Sequence, residues 1–155
     1  MTERNAAHGM FCIERIYPAS PARVFRAFQD PVAKAAWFNG GPECTILAQE
    51  MDFRVGGREQ SRGRWTSGHV SHFDAIYHDI IPNERIVFSY DMYVDDAKIS
   101  VSLTTVEIKA SGAGTRLIFT EQDVFLDGFE DNGGREHGTG EVLDRLGKSL
   151  ETVAA

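Results

Sequence analysis

The chain has 155 residues, of which 42% are hydrophobic and 25% charged, the composition of one ordinary globular domain. Sixteen lysines and arginines face 23 aspartates and glutamates, a net charge of -7. That balance excludes the basic footprint of a nucleic-acid binder and a polybasic membrane anchor. No window approaches ~18 consecutive apolar residues, so no membrane insertion is expected. The polar first ten residues lack the apolar centre of a secretory signal, which makes a cytoplasmic location the expectation.

Residues 1–9 read as an N-terminal tail and 10–153 as a single domain. Phe11, Ile13, Arg15 and Tyr17 alternate with Cys12, Glu14 and Ile16, the pattern of a first strand, which stops at Pro18. Ser20-Pro21 is a helix start, followed by Val24, Phe25 and Phe28 at helical spacing; Asp30-Pro31 starts a second short helix on Val32, Ala35 and Ala36. That helix delivers Trp37 and Phe38 to the turn Asn39-Gly40-Gly41-Pro42.

Six strands follow, over Cys44 to Ala48, Arg58 to Trp65, Val70 to Ile80, Glu84 to Met92, Lys98 to Ile108 and Thr115 to Val124, separated by turn signals such as Asp95-Asp96. Their spacing predicts an antiparallel meander. Thr139, Val142, Leu143, Leu146, Leu150 and Val153 then form one helical stripe, with His137 opposite in solvent. Gly138, Gly140 and Gly147 weaken this helix or admit a close neighbour. Cys12 and Cys44 are expected as reduced thiols in early strands that could be neighbours.

Several signatures fail. Gly147-Lys148-Ser149 lacks the glycine a phosphate loop needs at position 142, which is valine, and Gly112-Ala113-Gly114 lies between strands rather than opening a helix. No serine is framed as a nucleophile elbow. His72, Asp74 and His78 share a strand face and could in principle bind a metal, but Phe73, Ala75 and Tyr77 are the better core face, leaving the histidines in water. No metal site and no cofactor are therefore expected.

The segments SPARVFRAFQDP and AWFNGGP (within Ser20 to Pro42), RVGG (Arg54 to Gly57), IIPNERIVFSY (Ile80 to Tyr90), GAGTRLIFTEQ (Gly112 to Gln122) and LDRL (Leu143 to Leu146) occur in this order. Together they resemble the activator of heat-shock-protein-90 ATPase homologue-like family, within the superfamily of START and birch-pollen-allergen domains. The resemblance implies an α+β helix-grip fold, a curved antiparallel sheet of about seven strands with two short helices after the first strand. A long C-terminal helix would pack over a cavity for an apolar or amphipathic small molecule. The chain has no room for the added chaperone-binding domain of the full-length eukaryotic activator, so a chaperone partner has no support in the sequence.

Strand alternation and the helix stripe nominate the cavity residues. Phe88, Tyr90 and Met92 share one face, as do Leu117, Phe119 and Glu121, and Phe73 and Tyr77 belong to a third strand. Thr139, Val142 and Leu146 oppose them; Trp37, Phe38, Phe53 and Trp65 close the mouth, with Arg54 at the rim. Glu121 on an apolar face needs a cation, and Arg54 or Arg64 is the expected partner. The same aromatic positions would also serve as an ordinary filled core. Binding of a small hydrophobic molecule ranks first. An enzyme acting on an aromatic or polyketide-like compound through Glu121 and Tyr90, and a co-chaperone-like interaction module, rank behind it. Unpaired edge strands leave room for a homodimer.

Overall fold

The computed structural model describes residues 4–39 and 41–151. Residues 1–3 of the expected tail, Gly40 and Val153 lie outside them. Seven strands form one antiparallel sheet: β1 (Ala6–Tyr17), β2 (Cys44–Met51), β3 (Arg58–Trp65), β4 (Val70–Ile81), β5 (Arg85–Val94), β6 (Ala97–Ser111) and β7 (Gly114–Leu126). The order β1-β7-β6-β5-β4-β3-β2 makes β2 to β7 a continuous meander, with β1 added beside β7.

β1 begins earlier than alternation alone indicates. Ala6 to Gly9 pair with Leu126 to Asp123, so these four residues of the expected tail are sheet. Their weak strand propensity is overridden by a ready-made ladder on β7. The β5–β6 hairpin turns on Asp95 and Asp96 at φ 48° and 68°, the left-handed geometry that suits a two-residue loop. Cys12 and Cys44 are both free and stand on the two opposite edge strands, which corrects the idea that they neighbour each other.

Two capped helices cross from β1 to β2. α1 (Pro21–Gln29) is capped by Ser20, whose side chain accepts from the Arg23 N–H at 3.2 Å. α2 (Pro31–Phe38) is capped by Asp30, which accepts from Val32 at 3.1 Å. The buried face of α2 is not the expected one: Val32 is 81% exposed and Ala36 is exposed, while Lys34 and Trp37 are buried. Lys34 can go inside because a carboxylate waits there.

α3 (Asn132–Glu151) starts seven residues before Thr139, where Asp131 caps it by accepting from Gly134 at 3.0 Å. Leu143, Leu146 and Leu150 seat its second half against the inner sheet face. Tyr17 Oη donates to the Leu143 carbonyl at 2.8 Å. A Cβ at Gly147 would lie 3.1 Å from the Tyr17 ring, so glycine there admits the close approach. Replacing Leu146 with alanine should lower unfolding stability by ~2–5 kcal/mol in urea titrations, whereas Val32→Ala should stay within ~0.5 kcal/mol.

Candidate functional site

The leucine half of α3 closes one end of the curved sheet. Its first half, together with α2, stands over the inner faces of β2 to β7 and borders a cavity of about 490 Å³ that opens to solvent on one side. Eleven of the sixteen nominated residues line it. They are Trp37 and Phe38 from α2, Trp65, Phe73, Phe88, Tyr90, Met92, Phe119 and Glu121 from the sheet, and Thr139 and Val142 from α3. Phe38, Phe73 and Tyr90 form a run of ring contacts at 5.0 and 4.8 Å between centroids.

Five nominated residues lie elsewhere. Leu117 and Leu146 are fully buried in the packed core. Tyr77 sits deeper and donates to Glu59. Phe53 packs on Phe25 and Tyr77 beneath α1, at 5.7 and 4.9 Å. Arg54 is half of an exposed pair with Asp52 and lines a separate shallow groove with Phe25 and Ile80. The β2–β3 connection carries these last two residues away from the mouth.

One end of the cavity is polar. Glu121 is 2% exposed and accepts from Tyr90 Oη at 2.8 Å and Thr104 Oγ1 at 3.2 Å. The cation that meets it is Arg135 from the first turn of α3, neither Arg54 nor Arg64. Arg135 Nη1 lies 3.6 Å from Glu121 Oε2 and 3.4 Å from Asp123 Oδ1, and donates to Tyr90 Oη at 2.9 Å. Its Nη2 donates to Ser100 at 2.8 Å, and Ser102 donates to Asp123 Oδ1 at 2.5 Å. Burial, reinforced by Asp123, pushes the Glu121 carboxyl up to about 8, against the opposing pull of Tyr90 and Arg135. Burial and then the charge of Glu121 hold the Tyr90 phenol well above its usual range. At neutral pH this end therefore carries a protonated carboxyl beside an arginine–aspartate pair.

A second buried pair stands at the α2 side. Lys34 Nζ lies 2.6 Å from Glu59 Oε1 and 4.4 Å from the centre of the Phe38 ring, and Tyr77 donates to the same Glu59 oxygen. Sequence reasoning missed Lys34, Glu59, Asp123 and Arg135. Three of them left signals: Arg135 precedes Thr139 by four and Val142 by seven, Asp123 follows Glu121 by two, and Lys34 precedes Trp37 by three. Glu59 left none, because β3 is polar on both faces.

The histidine group does not converge. His72 stacks against Tyr93 with centroids 5.5 Å apart, Arg58 grips Asp74 through two bonds of 2.8 Å, and His78 meets Ser89 at 2.7 Å. Among the described residues no three histidine, cysteine or acidic side chains are grouped to hold a metal.

A curved antiparallel sheet gripping a long C-terminal helix over an internal cavity defines a helix-grip protein of the START and birch-pollen-allergen superfamily. Residues 18–151 match the family model described as activator of Hsp90 ATPase homolog 1-like protein, and the chain belongs to that family. Among solved structures it is similar to an uncharacterised protein from Rhizobium leguminosarum. The identity is 46% and the TM-score 0.94, over 98% of this chain and all of the other. A Rhizobium loti protein is 45% identical with TM-score 0.87, over 94% of this chain and 99% of that one. A Chromobacterium violaceum protein is 27% identical with TM-score 0.79, over 93% and 98%. No curated protein matches the chain.

Two outcomes test the buried charges. The native state holds the Glu121 proton from its ordinary value of 4.5 up to about 8, so the stability this proton confers is lost as pH rises through that window. The slope approaches ~1.4 kcal/mol per pH unit. Glu121→Gln, neutral throughout, should gain stability relative to the parent as pH rises from 5 to 8.5 in urea titrations. Lys34→Met strands a buried carboxylate and should cost ~3–5 kcal/mol, most of it recovered in the Lys34→Met/Glu59→Met double variant.

Proposed function

We propose that this chain binds a small hydrophobic or amphipathic molecule in the cavity between the sheet and α3, as a binding module rather than an enzyme. The observation that carries this reading is the space itself. A cleft of about 490 Å³, open to solvent on one side, runs inward between aromatic walls where the sheet and helices could have packed closed, with polar groups gathered at one end. Ligand sites of this size are concave, mostly apolar and oriented by a few polar groups. Membership in the family is compatible with this reading, as it is with a co-chaperone-like role.

Native mass spectrometry of freshly purified protein should show an adduct that solvent extraction releases, and the same spectrum reports monomer or dimer. Nile red should brighten on binding the parent protein. Val142→Trp, which fills the cavity from α3, should abolish that uptake while far-ultraviolet circular dichroism stays unchanged; undiminished uptake counts against the cavity.

A second reading has one observation behind it. Glu121, protonated at neutral pH and bonded to Tyr90 in the cavity wall, has the form of an acid/base pair for an aromatic or polyketide-like substrate. It requires that Glu121→Gln remove turnover of a candidate substrate while leaving its affinity nearly intact.

A further inference from the structure

Resting on the cavity-binding reading, we infer that the cavity selects uncharged aromatic ligands bearing a hydroxyl or carbonyl group and rejects carboxylates, although an arginine stands in its wall. An arginine facing an apolar pocket ordinarily suggests an anionic ligand. Arg135 is not available in that sense. Its guanidinium already donates to Tyr90, Ser100, Ser102 and Asp123, and the carboxyl groups of Asp123 and Glu121 lie 3.4 and 3.6 Å from Nη1. Its flat face is also covered, with the guanidinium carbon 5.2 Å from the Phe125 ring centre and 5.8 Å from that of Tyr90.

Of the two other cations of the lining, Lys34 is closed into its pair with Glu59. Arg145 donates through Nε to the Trp37 carbonyl at 3.2 Å, and three carboxylates, Glu43, Asp131 and Glu141, line the cavity with this one cation. With Glu121 protonated, three cations face five carboxylates: Asp123, Glu59, Glu43, Asp131 and Glu141. An incoming carboxylate would lose its hydration, meet Arg145 among three carboxylates, and find the deeper cations, Lys34 and Arg135, already paired. A neutral hydroxyl or carbonyl pays far less desolvation; Thr139 in the lining can donate to either, and the Tyr90 oxygen, whose proton goes to Glu121, keeps one lone pair for a ligand hydroxyl.

Isothermal titration calorimetry at pH 6.5 with three probes of one ring size tests this: 2-acetylnaphthalene, 2-naphthol and 2-naphthoate. The ketone and the naphthol should each bind at least ~10-fold more tightly than the carboxylate. Asp123→Asn, isosteric but without the counter-charge for Arg135, should narrow or reverse that preference. Naphthoate binding as tightly as the ketone in the parent protein overturns the charge argument and leaves the cavity reading intact if Nile red still binds. Failure of all three probes together with Nile red removes both. If Asp123→Asn does not fold, the parent's ranking of the three probes still decides.

Discussion

A seven-stranded sheet presents more inner surface than one helix can cover. Six interstrand spacings of ~4.8 Å span about 29 Å, against a helix about 10 Å across. Curvature and the two short helices take up part of the difference, and the rest is settled by side-chain size. Along β6 the inward positions run from Ile108 and Val106 through Thr104 to Ser102 and Ser100, so the filling shrinks from one end of the strand to the other. α3 changes in the same direction, from Leu150, Leu146 and Leu143 back to glycines and Arg135. Large residues meet large ones and pack solid; at the other end Arg135 covers the small β6 residues, and the cavity lies beside it under Gly134 and Gly138.

Polar groups buried beside that space must be matched, because each unpaired one costs ~1–3 kcal/mol. The molecule answers the requirement twice with the same device, leaving in each set one carboxyl oxygen, Glu59 Oε2 and Asp123 Oδ2, without a hydrogen bond. Lys34, Glu59 and Tyr77 form one set, and Arg135, Asp123, Glu121 and Tyr90 the other, each with a tyrosine hydroxyl donating to a carboxyl group. One set ties α2 to the sheet and the other ties α3 to it. Both helices that border the cavity are thus positioned by charge as well as by packing, which fixes the distance between its walls.

The fold was largely legible because alternation, proline-led helix starts and turn residues all pointed the same way at the seven strands and three helices. The aromatic lining followed from the same alternation at Phe88, Tyr90 and Phe119. What escaped was the set of charges. Neither the lysine in α2 nor the arginine in the first turn of α3 stands out in the sequence, since pattern reasoning sends charge outward unless a partner is in view. Those partners sit far along the chain: Glu59 is 25 residues from Lys34, and Asp123 is 12 from Arg135. Phe53 and Arg54 failed for another reason, because they fall in a connection where the two-residue period no longer tells direction.

The glycines of α3 also bear on how the interior is reached. Gly133, Gly134, Gly138 and Gly140 all fall in the half that roofs the cavity, each lowering helix stability by up to ~1 kcal/mol relative to alanine. The strands below are locked by continuous ladders, and the leucine half is anchored through Tyr17. The least costly widening of the mouth is therefore a partial unwinding of the first turns of α3, with Arg135 letting go of the sheet as they lift. Access would then be governed by the helix, and the residue that completes the polar end of the cavity would also act as its latch.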